Sequence, residues 1–254
     1  LSSPRRRLGP ILARTYLALY DALCGRHPDL RPWHFQWLAG SILYRSLRPV
    51  LATVDGEVLD VGCEHSPYRD WMPLVRGYVG LDVQPGAGVD VVVPPGGAWP
   101  LTDGRFDSVL CTQVLEHVAQ PAHTLSEIHR VTRPGGTLIL TVPFIYNEHG
   151  TPADYQRLTR HGVRELLEHE WEIVQLTTQG GVGSSTGILL LNWANLTLLR
   201  TGPRVLATLV LLPAWLAFCA AVNAIGALLD RIDRSNLYYG NVLVVATRRG
   251  HSTG

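Results

Sequence analysis

The chain has 254 residues, 46% of them hydrophobic and 17% charged, with a formal net charge of +1. That apolar content supplies a core for one large α/β domain, or a domain with an appendage, and excludes disorder for the chain as a whole. It contains no lysine, which excludes Schiff-base chemistry, pyridoxal phosphate attachment and the P-loop lysine. The small net charge hides a split: residues 1–50 carry eight arginines against Asp21 and Asp29, and the remainder is acidic. A basic arm on an acidic body points to an anionic partner, membrane surface or nucleic acid. Cys24, Cys63, Cys111 and Cys219 are scattered with no C-x-x-C pair, so a disulfide framework is not expected and no metal site is indicated. A cytoplasmic chain without a signal peptide is the expectation, peripheral at the inner face of the membrane if the basic arm docks there.

In chain order, residues 4–50 predict helices in which Trp33, Phe35 and Trp37 stand among arginines. That composition suits either a membrane-interface segment or a cap on the following domain. From residue 57 short β-branched runs alternate with helical ones. Strands are predicted at 57–62, 77–83, 89–93, 106–112, 137–143, 171–178 and 241–247, with helices at 121–132 and 160–170 and a turn at 133–136. This alternation predicts a Rossmann-like, mostly parallel seven-stranded sheet covered on both faces. Val205–Leu229 is uncharged and long enough to span a bilayer, but a strand on either side of the insertion requires the chain to leave and return on one side. A crossing hairpin would place Arg200 and Arg204 in the bilayer, so the expectation is a helical hairpin lying in the interface or packed on protein, including a second subunit in a homodimer. The domain reading is therefore 1–50 as a basic and aromatic helical segment, 51–186 with 230–249 as the main domain, and 187–229 as an apolar insertion.

The chemistry concentrates where predicted strands end. Asp60-Val61-Gly62 closes the first strand, and the following Cys63, Glu64, His65 and Ser66 replace the glycines a dinucleotide loop needs. Glu64 would repel a pyrophosphate, which leaves a cofactor without phosphate. Asp82, ending the second strand, stands where an acid holds the two hydroxyls of a ribose. The stretches EVLDVGC (57–63), GLDV (80–83), WPLTDGRFDSVL (99–110), VLEHV (114–118) and RVTRPGGTLILTVP (130–143), in this order and spacing, resemble class I S-adenosylmethionine-dependent methyltransferases of the broad group with L-P-f-x-D-x-x-F-D and L-E-H signatures. The resemblance covers about half the chain and implies a seven-stranded sheet with a reversed last strand. It implies S-adenosylmethionine as cofactor, with Asp60, Gly62, Cys63 and Glu64 around its methionine end. Asp82 would take the ribose, Val83 and Trp99 the adenine side, and Gln113 would line the site near the sulfonium. The acid that often meets the adenine amine is absent from Pro94–Trp99.

The acceptor side is expected in VPFIYNEHGTPADYQRLT, 142–159, after the fifth strand. His149 is the expected base for a hydroxyl acceptor, and Tyr146, Asp154, Tyr155 and Arg157 the substrate contacts. Asp154 and Arg157 read equally as an ion pair that fixes the loop, with Tyr155 beneath. His117 reads as a pocket residue with a catalytic role or as a cap for the next helix. The function expected is transfer of a methyl group to oxygen or nitrogen of a small or lipid-linked acceptor, such as a sugar or natural product, at the membrane surface. The alternatives are a nucleic-acid methyltransferase, disfavoured because no reading module is visible, and a non-catalytic scaffold on the same fold.

Overall fold

The structure, a computed structural model, describes residues 4–199 and 205–250. Arg200 and Arg204 lie outside the described residues, as do the side chains of Arg5, Arg6 and Arg7. The chain divides into two units, Leu1–Tyr44 with Gly180–Tyr239, and Arg45–Gln179 with Gly240–Gly254.

The second unit holds one sheet of seven strands, β1 (Asp55–Val61), β2 (Leu74–Asp82), β3 (Val91–Val92), β4 (Phe106–Thr112), β5 (Thr132–Pro143), β6 (Trp171–Gln179) and β7 (Asn241–Arg248). Their order is β3-β2-β1-β4-β5-β7-β6. The pairs from β3 to β5 are parallel, and β7 runs antiparallel to both β5 and β6. The expected reversed last strand is present. Val58, Leu59, Asp60 and Val61 are all buried, so β1 reads as a continuous apolar run with no polar alternation. One expectation is corrected: Arg133–Gly136 is not a turn ahead of a strand but the first part of β5. The β4–β5 register shifts between Phe106 and Ser108, and Gly135, at φ 74°, absorbs the irregularity within the strand.

Two helices of this unit cover the sheet. In α3 (Pro121–Val131), Leu125, Ile128 and Val131 recur on one buried face. Glu127 is buried beside them and accepts from the Trp99 backbone N–H at 2.8 Å and from Arg130 at 2.8 Å. Arg130 in turn donates to the carbonyls of Trp99 and Leu101, fastening the segment before β4. Helix α4 (Arg160–Leu167) starts where the Thr159 hydroxyl accepts from the Gly162 N–H at 3.1 Å.

The first unit is helical. It contains α1 (Pro4–Cys24), the start of α2 (Trp37–Leu51), α5 (Val182–Ala194) and α6 (Val205–Ile232). Tyr20 and Cys24 share a core with Leu191, Ala194, Leu212, Trp215 and Cys219, so the N-terminal segment and the apolar insertion bury one another. A Cβ at Gly183 would lie 2.1 Å from the Gly226 carbonyl oxygen, so the α5 and α6 backbones touch there. Two carboxylates cap α5: Asp233 accepts from the Val182 N–H at 3.0 Å, and Asp230 from that of Ser184 at 2.9 Å. Asn223 of α6 donates to the carbonyls of Pro32 and His34 and ties down the loop between α1 and α2. The outer face of the unit stays apolar, with Trp193, Val210, Phe218, Ile225 and Ile232 exposed. Val210–Ile232 spans 23 residues at mean hydropathy 1.9 and is 28% buried, so by length and composition it is able to cross a membrane.

Candidate functional site

In a parallel sheet, ligands collect beyond the carboxyl ends of the strands where the strand order reverses, here between β1 and β4. Gly62 leaves β1 at φ 70°, and a Cβ there would come within 2.4 Å of Val114, so only glycine satisfies both the backbone and the packing. Glu64 and Ser66, which stand where glycines were expected, hold φ of 45° and 52°, and Gln113 beyond β4 holds 55°. These are three of the four described non-glycine residues with left-handed backbone. The loop thus keeps the glycine-type conformation and presents side chains from it, and strained backbone of this kind collects at functional sites.

The Asp82 carboxylate accepts from the Glu64 N–H and from the Gln84 N–H, each at 3.0 Å, which joins the β1 loop to the end of β2. Each oxygen retains a lone pair, and the residue is half-buried. Val83 beside it is exposed. The Cys63 thiol and the Ser66 hydroxyl both donate to the Gly88 carbonyl at 3.3 Å, so the loops after β1 and β2 are clasped together. Burial pushes the Cys63 thiol up to about 12, which makes it an inert packing residue. Asp60 does not face an open pocket. It is 2% exposed, accepts from the Tyr78 hydroxyl, and burial lifts its carboxyl to about 7 against that hydrogen bond. Trp99 is also buried, its backbone held by Glu127 and Arg130. Gln113 is half-buried and donates to the Thr141 hydroxyl at 3.2 Å.

The residues expected on the acceptor side lie beyond β4 and β5, which are neighbours in the sheet. A short helical turn, Leu115–His117, follows β4, and the loop after β5 folds back onto it. The Tyr155 N–H donates to the Glu116 carbonyl at 2.8 Å, and Gln156 donates to the Leu115 carbonyl at 2.7 Å. Within the loop, Asp154 receives two hydrogen bonds of 2.6 Å from Arg157 and a third, of 2.8 Å, from the His149 N–H. Arg157 holds the Asp154 carboxyl well below the usual carboxylate range, so this pair acts as the clamp of the loop. Tyr146 and His117 both meet the His149 ring edge-on, at 5.1 and 4.7 Å between centroids. Burial lowers the His149 pKa, so its imidazole is neutral near pH 7. His117 does not cap α3, where Gln120 is the preceding residue. Its Nδ1 meets the Ala153 carbonyl at 2.5 Å. Tyr155 is exposed.

Residues 59–140 match the family model described as "Methyltransferase domain". Residues 59–140 are thus similar to a methyltransferase domain. An uncharacterized methyltransferase of Mycolicibacterium gilvum is 33% identical over 138 residues, 44% of this chain and 54% of that protein. An uncharacterized 37.1 kDa transposon protein of Streptomyces fradiae is 50% identical over 44 residues, 17% of this chain and 13% of that one. The matches thus take in about half or less of these two relatives' lengths. Among solved structures, the cyclase SpnF superposes with a TM-score of 0.56 at 17% identity, covering 98% of each chain. A SAM-dependent methyltransferase from Archaeoglobus fulgidus gives 0.52 at 13% identity, over 92% of this chain and 99% of that one. These likenesses establish the fold.

The loops at the β1–β2 edge fit an adenosyl cofactor. Asp82 keeps free lone pairs for a diol, exposed Val83 offers an apolar surface, and the loop has no phosphate cradle to fill. Of the residues expected from sequence, Gly62, Glu64, Asp82 and Val83 lie together at the ends of β1 and β2, and His117, Tyr146, His149, Asp154 and Arg157 lie together beyond β4 and β5. Asp60, Cys63 and Trp99 are buried supports. Two participants escaped notice. Tyr78, on β2, holds Asp60 from the neighbouring strand, and Glu116 sits buried inside L-E-H next to the histidine that drew attention.

Proposed function

We propose that this chain transfers a methyl group from S-adenosylmethionine to oxygen or nitrogen of a small or lipid-linked acceptor, at a membrane surface. The observation that carries the reading is the pairing of the Asp82 carboxylate, at the end of β2, with the His117–His149 cluster beyond the adjoining strands. When bound, the cofactor supplies an electrophilic methyl group on sulfonium sulfur. Asp82, Val83, Gly62 and Glu64 would hold it, and Gln113 would border the reacting end. The task left to the protein is in-line positioning and removal of the acceptor's proton. His149, kept uncharged by burial and seated by the Asp154–Arg157 clamp, offers a lone pair near the acceptor side.

Calorimetry with S-adenosylmethionine is the direct test. Micromolar binding is expected, and Asp82→Asn, which weakens a charged hydrogen-bond acceptor, should lower affinity about tenfold. Absence of binding at millimolar cofactor would falsify the enzyme reading and favour the scaffold. With binding in hand, transfer of a tritiated methyl group to lipid and to water-soluble extracts separates the acceptor classes.

The membrane part of the reading is supported by the outer face of the helical unit. Exposed Trp33, with Arg31 over its ring, and exposed Trp193 and Phe218 all belong to this unit, the kind of composition that seats a protein on anionic lipid. A groove of about 400 Å³ on that unit is lined by Leu23, Trp33, Leu216, Ala217 and Ala220, with Arg31 as its single charge. Flotation with phosphatidylglycerol vesicles should carry the protein upward, and Trp33→Ala combined with Trp193→Ala should lower the bound fraction severalfold. Equal flotation on neutral vesicles would show that charge plays no part. No flotation on either would remove the membrane from the reading.

A further inference from the structure

Glu116 is 1% exposed, and among the described residues neither of its carboxylate oxygens has a hydrogen-bond partner in another residue. A bare buried carboxylate is costly unless something neutralises it. What faces it is specific. Its Oε1 lies 3.9 Å from His117 Nε2, and Glu116, His117 and His149 each offer one ligand atom, all within 4.8 Å of one another. The remaining nitrogens are already engaged. His117 Nδ1 meets the Ala153 carbonyl at 2.5 Å, which fixes the tautomer with the proton on Nδ1 and turns the Nε2 lone pair toward Glu116. His149 Nδ1 faces the Asn147 carbonyl at 3.3 Å, Asp154 at 3.4 Å and Arg157 at 3.4 Å, so with the proton on Nδ1 its Nε2 is the ring nitrogen able to ligate. Arg157, a cation beside the cluster, is paired with Asp154.

We infer that Glu116, His117 and His149 form a binding site for a divalent first-row transition-metal ion. Two imidazoles and one carboxylate are the donor set such ions take, with positions left open for other ligands. Ligands about 2.1 Å from a shared ion stand roughly 3–4 Å apart, so closing the triad needs side-chain adjustment and no change of fold. Hydrogen bonds from the histidines to the Ala153 and Asn147 carbonyls and to the Asp154 carboxylate serve as the outer support that orients metal-binding histidines. The consequence for chemistry rests on the methyl-transfer reading above: with the ion bound, His149 would be a ligand and no longer the base, and a hydroxyl acceptor held on the ion would lose its proton to solvent more readily and present its oxygen as a fixed nucleophile. The site itself does not depend on that reading.

The test uses the whole chain, stripped with a chelator and dialysed, then titrated with Zn2+ and Mn2+ by calorimetry and with Co2+ by visible absorption. Uptake of one equivalent with the absorption of imidazole-bound Co2+ is expected. Glu116→Gln and His149→Gln should each weaken it at least tenfold with the circular dichroism spectrum intact. His169→Ala, in the exposed group Glu165, Glu168 and His169, should leave it unchanged. No uptake, uptake that both ligand variants retain, or uptake abolished by His169→Ala would overturn the site. S-adenosylmethionine binding is measured on the same samples. A chain that takes the metal and not the cofactor keeps this site and loses the methyl-transfer reading, and the converse result does the opposite.

Discussion

Replacing Asp60 with asparagine is expected to stabilise the folded protein by a few kcal/mol at pH 8 and to change little at pH 4. The Asp60 carboxyl is enclosed beneath the β1 loop, and burial raises it to about 7, with the Asp82 charge adding to the rise and the Tyr78 hydroxyl opposing it. Between about pH 4 and about pH 7 the native chain therefore holds a proton that the unfolded chain has released. Stability falls as pH rises through that window and levels off above it. A displacement from about 4 to about 7 corresponds to ~4 kcal/mol at most, and relaxation around the carboxylate reduces it. Asparagine keeps an acceptor for Tyr78 and cannot ionise. Urea unfolding at pH 4, 6 and 8 should show a declining stability in the parent and a flatter profile in the variant. Parallel profiles would mean that Asp60 ionises freely in the fold.

The second large effect is expected at Asp154. Its carboxylate is 2% exposed and takes both Arg157 nitrogens at 2.6 Å. Arg157 also donates to the carbonyls of Asn147 and Gln156, so one pair gathers the start and the end of the acceptor loop. Asp154→Ala strands a partly buried guanidinium and should cost about 3 kcal/mol. For a chain of this size that is a Tm lowered by roughly 6–12 °C. Removing both partners should recover part of the loss, because the cost lies in the uncompensated charge more than in the missing attraction. Melting followed by circular dichroism on the two single variants and the double variant decides it. A double variant no better than the sum of the singles would show that the pair acts independently.

The sheet was legible because buried parallel strands write themselves as continuous apolar runs ending in Asp60, Asp82 and Thr112. The start of β5 was not, since R-P-G-G has the composition of a turn and only the shifted register with β4 draws it into the strand. The acid at Asp82 could be placed from its distance to Asp60. The Asp60–Tyr78 contact could not, because it is a diagonal pairing across two strands and depends on their register. Glu64 and Ser66 looked like departures from a glycine loop. Their side chains carry no sign that the backbone would stay left-handed, a conformation held by the loop's closure onto Asp82 and Gly88. The apolar stretch of α6 was plain in the sequence. Its sharing of a core with α1 was hidden, since Cys24 and Cys219 meet only through the tertiary fold.

The position of β7 bears on how the chain is made. Although β7 comes after every other strand in chain order, it is an interior strand, paired on one side with β5 and on the other with β6. Until it emerges from the ribosome, β6 has no neighbour to pair with and β5 presents a bare hydrogen-bonding edge. The sixty residues Gly180–Tyr239 intervene, so both edges must wait while a helical unit is synthesised. Such an edge is open to any strand that reaches it first. The step exposed to misassembly in a crowded cell is therefore the arrival of the final strand, and a helical unit that folds promptly shortens that wait by bringing Gln179 and Gly240 within hydrogen-bonding distance.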